Sequence, residues 1–346
     1  MFKLILTAVA AATLLAAGSS RAFAEDSTRG ALVLSASNTS TNALLVFNAS
    51  GALLHRIPTQ GQGGVSGNAH GVAATRDHVA VVNFGSSNVS VFARDDGGRA
   101  FRVERVVPTI GNPVSVAFGG DHLYVLTTTH VESFRVGPFG ASPVADGQAQ
   151  LLLGDASAAQ VGVLNHELIL TEKNNVIETV RLSAEGGVAG SAKLVANIPA
   201  NVNAPFGLAT RGDDAYVTIA HADEISLVRN DAVLAVTGSG TQHAPCWVAL
   251  DGPFLFSANS PSQSVSRYAV YGQKIAQDAA VVAQFVGNPT DIAYRDGLAA
   301  VVDAAGTASR VSIFRVDQDG NFALQGVATL AGTATNGVAI VDDDGR

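Results

Sequence analysis

Pro205-Phe206-Gly207-Leu208-Ala209 is the clearest copy of a short phrase that decides the fold of this 346-residue chain. Each copy has one or two polar residues or a proline, then an aliphatic residue and usually an alanine. The copies end at residues 73, 117, 164, 209, 249, 293 and 339, in steps of 44, 47, 45, 40, 44 and 46 residues. A period near this value, with short strands between the copies, is typical of β-propeller blades. The sequence therefore predicts an all-β protein, a seven-bladed β-propeller, in which the fourth copy, Gln160–Leu164, is degenerate.

Residues 71–109 show the pattern of a single blade. Short runs of alternating apolar residues predict strands at Gly71–Thr75, His78–Asn83, Val89–Arg94 and Phe101–Pro108, and turn residues separate them. Similar runs follow the later copies of the phrase. We therefore expect four strands in each blade, with the phrase forming the first.

The first and last repeats of the chain are each incomplete, and together they supply the strands of one blade. The chain opens with three predicted strands, Ala31–Ser35, Ala43–Asn48 and Leu53–Thr59, and no phrase precedes them. It finishes with Gly337–Val341, a first strand with no other strand after it. Pairing the last strand with the first three leaves no unpaired edge. We therefore expect residues 25–346 to form a single propeller domain, whose ring is closed by the C-terminal strand joining the N-terminal blade.

Residues 1–24 have the features of a signal peptide. Lys3 supplies the positive charge, Leu4–Ala17 the apolar stretch, and Ala22-Phe23-Ala24 a cleavage site with small residues. The apolar stretch is short for a membrane span. We therefore expect a periplasmic or secreted protein of a bacterial envelope, with no transmembrane anchor after cleavage.

The composition of the chain argues against some kinds of partner and covalent bond. Charged residues make up 14% of it and its formal net charge is −8, which argues against nucleic acid as a partner because phosphate binding needs a basic face. Cys246 is the only cysteine, so no intramolecular disulfide can form. Its apolar neighbours indicate a small buried side chain rather than a nucleophile.

Polar residues at two positions of the repeat are expected to face a central funnel. One position is the entry to each first strand, and the other is the end of each second strand. At the strand entries these residues are His70, Asn112, Asn203, His243, Asn288 and Asn336. At and just after the second-strand ends they are Glu172, Lys173, His221, Asn259 and Asp303.

Three of these residues are the catalytic candidates: Glu172, His221 and His243. A carboxylate such as Glu172 could act as a base on water while a histidine donates a proton. The remaining eight are predicted to bind a ligand, although asparagine and histidine at strand entries also cap strands for local reasons. No compact metal-ligand spacing, Walker loop or Gly-x-Ser-x-Gly turn is present in the sequence, so we expect no metal and no cofactor.

Several segments resemble the lactonase family of seven-bladed propellers, the group named for 6-phosphogluconolactonase and including carboxymuconate lactonizing enzymes. The similar segments are 168–173, 204–209, 240–248, 287–291 and 316–320. This resemblance implies a metal-independent pocket on the funnel face that opens or closes a lactone.

Two functions stay open, because the fold alone does not decide between them. The first is binding of a small polar ligand or a protein partner at the funnel face without catalysis. The alternative is an envelope hydrolase that opens a lactone or ester by carboxylate and histidine acid–base catalysis. The predicted face offers Lys173 and few other fixed positive charges for an anionic substrate, which favours binding.

Overall fold

The structure, a computed structural model, describes residues 30–66, 70–95, 99–138, 140–196, 204–332 and 334–342. Within these ranges the chain forms seven antiparallel sheets, arranged as the blades of a seven-bladed β-propeller. The predicted signal peptide, residues 1–24, and the candidate residue Asn203 lie outside the described residues. The expectation of a single domain over residues 25–346 stays a prediction.

The strands of the first three blades are short and follow one another closely. In chain order they are β1 (Ala31–Ala36), β2 (Ala43–Asn48), β3 (Leu53–Pro58), β4 (Val72–Ala74), β5 (His78–Asn83), β6 (Asn88–Arg94), β7 (Phe101–Pro108), β8 (Pro113–Gly119), β9 (His122–Thr127), β10 (His130–Gly137), β11 (Gly140–Ala141) and β12 (Gly147–Gln150). The third blade differs from the others because β11 and β12 both pair with β10.

Blades four to seven continue in the same order, from a first strand at the centre to a fourth at the rim. Their strands are β13 (Ala158–Val163), β14 (Glu167–Glu172), β15 (Val176–Arg181), β16 (Lys193–Leu194), β17 (Pro205–Arg211), β18 (Asp214–Ile219), β19 (Glu224–Arg229), β20 (Ala232–Gly238), β21 (Pro245–Asp251), β22 (Phe254–Asn259), β23 (Ser264–Tyr271), β24 (Lys274–Gln284), β25 (Asn288–Arg295), β26 (Leu298–Ala305), β27 (Ala308–Val316) and β28 (Phe322–Ala331), with β29 (Asn336–Asp342) in blade one. Two single 3-10 turns, Phe84–Ser86 and Ala220–Ala222, follow second strands.

The predicted closure of the ring is confirmed. β29 pairs antiparallel with β1, so blade one has the strand order β29-β1-β2-β3. The Ser35 hydroxyl donates a hydrogen bond to the Gly337 carbonyl at 2.6 Å, which adds a side-chain contact to the strand pairing. The last strand of the chain therefore completes the first blade.

The fourth copy of the phrase is shifted from its expected position. Gly162 pairs with Ile169 in the same way that Ala209 pairs with Tyr216. Gly162, rather than Leu164, therefore occupies the place of the alanine. A Cβ atom on Gly162 would lie 2.3 Å from Leu208 Cδ1 of the next blade, so an alanine there would require the Leu208 side chain to shift.

Candidate functional site

The residue two places before the alanine of each phrase lies on a first strand, beside the centre of the propeller. We call these seven residues the axial positions. They are Gly71, Ser115, Gln160, Gly207, Trp247, Asp291 and Gly337. Two of the three axial glycines lie where neighbouring blades come close: a Cβ atom on Gly207 would lie 2.3 Å from the Cys246 carbonyl oxygen, and one on Gly337 would lie 2.7 Å from the Val72 amide nitrogen. The larger axial residues are therefore exceptions whose contacts need an explanation.

Asp291 is the one carboxylate among the axial positions, and it is fully buried. Its Oδ2 atom accepts hydrogen bonds from the Val338 amide at 3.0 Å and from the His70 amide at 3.2 Å. The His70 imidazole Nδ1 lies 3.7 Å from Asp291 Oδ1. Asp291 thus joins blades seven, one and two, and it orients the loop that carries His70.

Gln160 makes a comparable link between blades four and five. Its side-chain amide donates to the Leu208 carbonyl and accepts from the Leu208 amide, both at 2.9 Å. The contact copies the hydrogen bonding of a strand pair, so the two first strands are held at a fixed spacing. The axial polar groups therefore fix the frame of the site.

The predicted residue Glu172, at the end of β14, is completely buried. Its Oε1 atom accepts the Leu153 amide at 3.0 Å, and its Oε2 atom accepts the Gly154 amide at 3.3 Å. Burial raises the pKa of Glu172, although these two hydrogen bonds act to lower it. In this geometry the carboxylate anchors the loop that enters blade four.

A second buried carboxylate, Glu178 on β15, holds the same loop. Its Oε2 atom accepts the Leu152 amide at 2.9 Å, so Glu172 and Glu178 together bind three consecutive N–H groups. Burial raises the pKa of Glu178 to about 7, and the charge of Glu172 adds to this effect. Glu178 was not among the predicted site residues. It occupies the same position in its third strand as Ser266 does in blade six, beside the end of the second strand.

Asn259 and Asp303, also predicted at second-strand ends, are likewise buried and bonded internally. The Asn259 amide donates to the hydroxyls of Ser264 and Ser266, at 3.1 and 2.7 Å. Asp303 forms an ion pair with Arg310 and accepts the Gly287 amide at 3.0 Å. These side chains bind strands and loops of their own blades and are shielded from solvent.

Lys173 follows Glu172 in the sequence but is partly exposed. Its Nζ atom lies 5.6 Å from the ring centroid of Phe206, and that ring packs edge-on against Trp247 at 5.4 Å. Burial lowers the pKa of the Lys173 ammonium, although Asp155 acts to raise it. We call Lys173 and Phe206 the Lys-Phe platform: a cation and an aromatic face at the funnel end of blades four and five.

The third candidate group is a histidine paired with an acid. The Nδ1 atom of exposed His243 lies 2.9 Å from Asp223 Oδ2, and Asp223 Oδ1 accepts the Ala244 amide at 2.7 Å. Burial acts to raise the pKa of Asp223, but its hydrogen bonds with His243 and Ala244 outweigh this and lower it. His221 is exposed on the 3-10 turn, and no hydrogen bond joins its side chain to another described residue.

The other strand-entry residues fall into different environments. Asn112 donates to the Phe84 carbonyl at 2.7 Å, so its amide stabilises a neighbouring loop. Asn288 is exposed and accepts from Gln263 at 3.3 Å. Asn336 is buried, and its Oδ1 atom lacks a hydrogen-bond partner among the described residues. His70 is partly exposed at the axis.

A cavity of about 390 Å³ runs between the first strands of all seven blades. It is lined by aliphatic residues of the first strands, several of whose side chains are buried between the blades, and by His70, Gln160, Thr210, Tyr294 and Arg295. His70 is the one predicted site residue, among those described, that lines it. The cavity extends to the far ends of the first strands, away from the strand entries.

Neither a metal cluster nor a membrane-spanning helix is found among the described residues. Across the described ranges, no group of three or more histidine, cysteine, aspartate or glutamate side chains lies close enough to share a metal ion. None of the helical segments in those ranges is long and apolar enough to cross a membrane.

The architecture defines a seven-bladed β-propeller, and solved structures of this class match the chain over most of its length. The Pseudomonas aeruginosa periplasmic gluconolactonase PpgL is 16% identical, with a TM-score of 0.63 over 90% of this chain and 98% of that one. A candidate 6-phosphogluconolactonase from Bacteroides fragilis is 14% identical, with a TM-score of 0.64 over 91% and 99%. A hypothetical selenium-binding protein from Sulfolobus tokodaii is 10% identical, with a TM-score of 0.65 over 90% and 93%.

These similarities establish the fold. The resemblance drawn from the sequence, to propellers of the 6-phosphogluconolactonase kind, is confirmed at that level. No protein-family profile matches the chain, and neither does any curated protein.

Proposed function

We propose that the protein binds a small polar ligand at its funnel face, on the Lys-Phe platform, without catalysing a reaction. The observation that carries this proposal is the contrast between Glu172 and Lys173. Glu172 is buried and its two oxygens accept backbone N–H groups, which disfavours its use as a base on a bound substrate. Lys173 lies on the accessible side, beside an aromatic ring.

The chemistry of the platform suits a polyhydroxylated acid. The C–H groups of a sugar-like chain pack on an aromatic face such as Phe206, while an ammonium attracts a carboxylate. The partly desolvated position of Lys173 strengthens such an attraction, since local screening by water is reduced. The Pseudomonas aeruginosa neighbour is a periplasmic gluconolactonase, so D-gluconate and its 1,5-lactone are suitable probes. It also agrees with a location in the bacterial envelope, which we propose on the basis of residues 1–24.

Hydrolysis of a lactone is the second candidate, and the His243–Asp223 pair favours it. A carboxylate that holds one imidazole nitrogen leaves the other available for proton transfer. In this alternative His243 acts as the base on water, and Asp223 orients it. Glu172 then contributes only the position of the loop it anchors.

Binding and turnover of the two probes distinguish these functions. Gluconate and gluconolactone are titrated calorimetrically into the protein lacking residues 1–24, and lactone hydrolysis is followed in parallel against the spontaneous rate. Saturable binding without added hydrolysis supports the proposal. Hydrolysis that His243→Ala abolishes, and that the exposed control His221→Ala leaves intact, establishes the alternative. If the protein shows no binding and no hydrolysis at millimolar probe concentrations, both functions are contradicted for this class of ligand.

A further inference from the structure

A buried histidine lies where blades three and four meet, on the face opposite the funnel. The His122 side chain, at the start of β9, is inaccessible to solvent. Its Nε2 atom lies 2.8 Å from Asp146 Oδ2, in hydrogen-bond geometry. Its Nδ1 atom lies 2.7 Å from Asp121 Oδ1, which is the distance of an ion pair but not the angle of a hydrogen bond. One imidazole therefore faces two carboxylates.

The two contacts are favourable together only when His122 is an imidazolium ion. A neutral imidazole carries one N–H group and has a lone pair on its other nitrogen, which a carboxylate repels. Burial acts to raise the pKa of Asp146, but its hydrogen bonds with Ser133 and His122 outweigh this and lower it. Asp146 thus stays charged in mildly acidic solution, where a histidine gains its second proton.

Asp146 is connected in turn to residues 183–187, which we call the blade-four turn. The Ser133 hydroxyl donates to Asp146 Oδ1 at 2.7 Å and accepts the Val188 amide at 2.9 Å. The amide at the end of the turn is therefore joined, through one hydroxyl, to the carboxylate that faces His122.

Two further contacts place the turn against the imidazole. A Cβ atom on Gly186 would lie 2.7 Å from His122 Nδ1, so the backbone of the turn lies close to the ring. The Tyr124 ring stacks on His122, and its hydroxyl donates to the Gly186 carbonyl at 2.7 Å. Burial, with the charges of Asp121 and Asp146, raises the pKa of Tyr124 to about 12. The tyrosine bond is therefore unchanged near neutral pH, where histidine titrates.

The other charged and titratable groups around His122 are exposed. Arg135 forms a 2.7 Å ion pair with Asp121, so that carboxylate has a partner whatever the charge of His122. Glu185 and His166 line, together with His122, a space of about 730 Å³ between the two blades. The blade-four turn forms one wall of this space.

We propose that His122 is a pH-dependent latch, which holds the blade-four turn against blade three while it is an imidazolium ion. The neutral imidazole repels one carboxylate and attracts the other less strongly, since the Coulombic attraction is lost. As the pH rises, the turn therefore opens more often and widens the space between the blades. The latch lies on the face opposite the Lys-Phe platform, so it is independent of the function proposed there.

Two measurements between pH 5 and pH 9 test the latch in the protein lacking residues 1–24. NMR of the ring nitrogens reports how many protons His122 carries. Amide hydrogen exchange of residues 182–188, relative to an unstructured peptide at the same pH, reports opening of the turn. We expect protection of these amides to fall at least about threefold as His122 loses its second proton. A His122 that carries the same number of protons throughout, or loses one without a change in protection, would overturn the proposal.

Variants assign the pH dependence to this histidine. His122→Gln should lose most of it, because the side chain no longer titrates. His166→Gln is the matched control, since this exposed histidine lines the same space, and it should keep the wild-type pH dependence. Asp121→Asn, at an exposed position, should weaken the pH dependence and keeps the test decisive if His122→Gln does not fold by circular dichroism. An unchanged pH dependence in a folded His122→Gln or Asp121→Asn protein would refute the latch.

Discussion

Glu172 and Lys173 are neighbours in the sequence, yet they belong to two different regions of the propeller. Glu172 belongs to the buried wall of blade four, where carboxylates hold an entering loop. Lys173 belongs to the funnel surface, where it lies over an aromatic ring. The difference shows that adjacent polar residues at a second-strand end can lie either in the buried part of the fold or on its accessible surface. The wall should therefore govern stability, and the funnel surface should govern ligand binding.

Removal of residues 336–346 should have the largest effect, because it deletes the first strand of blade one. The edge of β1 would then be unpaired, and the bond from Ser35 to Gly337 would be lost. We expect the truncated protein to be unfolded or aggregated at 25 °C by circular dichroism and size-exclusion chromatography. A truncated protein that melts like the full-length chain would show that the ring does not depend on this closure.

Glu172→Ala should destabilise the protein by about 2 kcal/mol or more, since two N–H groups of the entering loop lose their acceptor. Asn288→Ala is the matched control on the funnel surface, where one 3.3 Å contact to Gln263 is lost. Its effect should stay within about 0.5 kcal/mol, as is usual for exposed sites. Urea unfolding measures both values. Equal losses of stability in the two variants would remove the distinction between wall and surface.

Glu178→Gln should change how stability depends on pH. The folded pKa of Glu178 is raised to about 7 from an ordinary value of 4.5, so the folded state holds this proton more firmly than the unfolded state. The stabilisation of the folded state that comes from this raised pKa is fully present below pH 4.5 and is lost as the pH rises through 7. The loss amounts to at most about 3 kcal/mol. Unfolding free energies at pH 5, 6, 7 and 8 should therefore fall more steeply in the wild type than in Glu178→Gln. If the unfolding free energies of the two proteins fall equally with pH, the raised pKa of Glu178 is contradicted.

Much of the fold was predictable, because the period of the phrase and the alternation within strands are local signals. Three predicted strands, Ala43–Asn48, His78–Asn83 and Phe101–Pro108, have the observed bounds. The shift in the fourth copy was not predictable, since the close approach of Leu208 to Gly162 comes from the next blade. Local patterns carry no information about such contacts.

The candidate site was less accessible to sequence reasoning. Strand alternation predicts that Glu172 and Lys173 point to opposite faces, but it does not say which side chain is buried. In the structure Glu172 is buried, and Lys173 is partly exposed in the turn that follows β14. Asp291 was missed because its partner His70 is 221 residues away in the chain. Aligning the seven axial positions of the repeat would have identified Asp291, since it is the only carboxylate among them. The roles assigned to the funnel residues stay predictions.

Ligand-induced thermal stabilisation in Glu172→Gln and Lys173→Met tests the central claim most directly. The two substitutions are adjacent and each removes one charge, but one changes the wall and the other the platform. With gluconate as the probe, the account predicts that Glu172→Gln starts from an altered melting temperature and keeps the wild-type shift. Lys173→Met should start near the wild-type melting temperature and lose most of the shift. A normal shift in Lys173→Met, together with its loss in Glu172→Gln, would contradict the account.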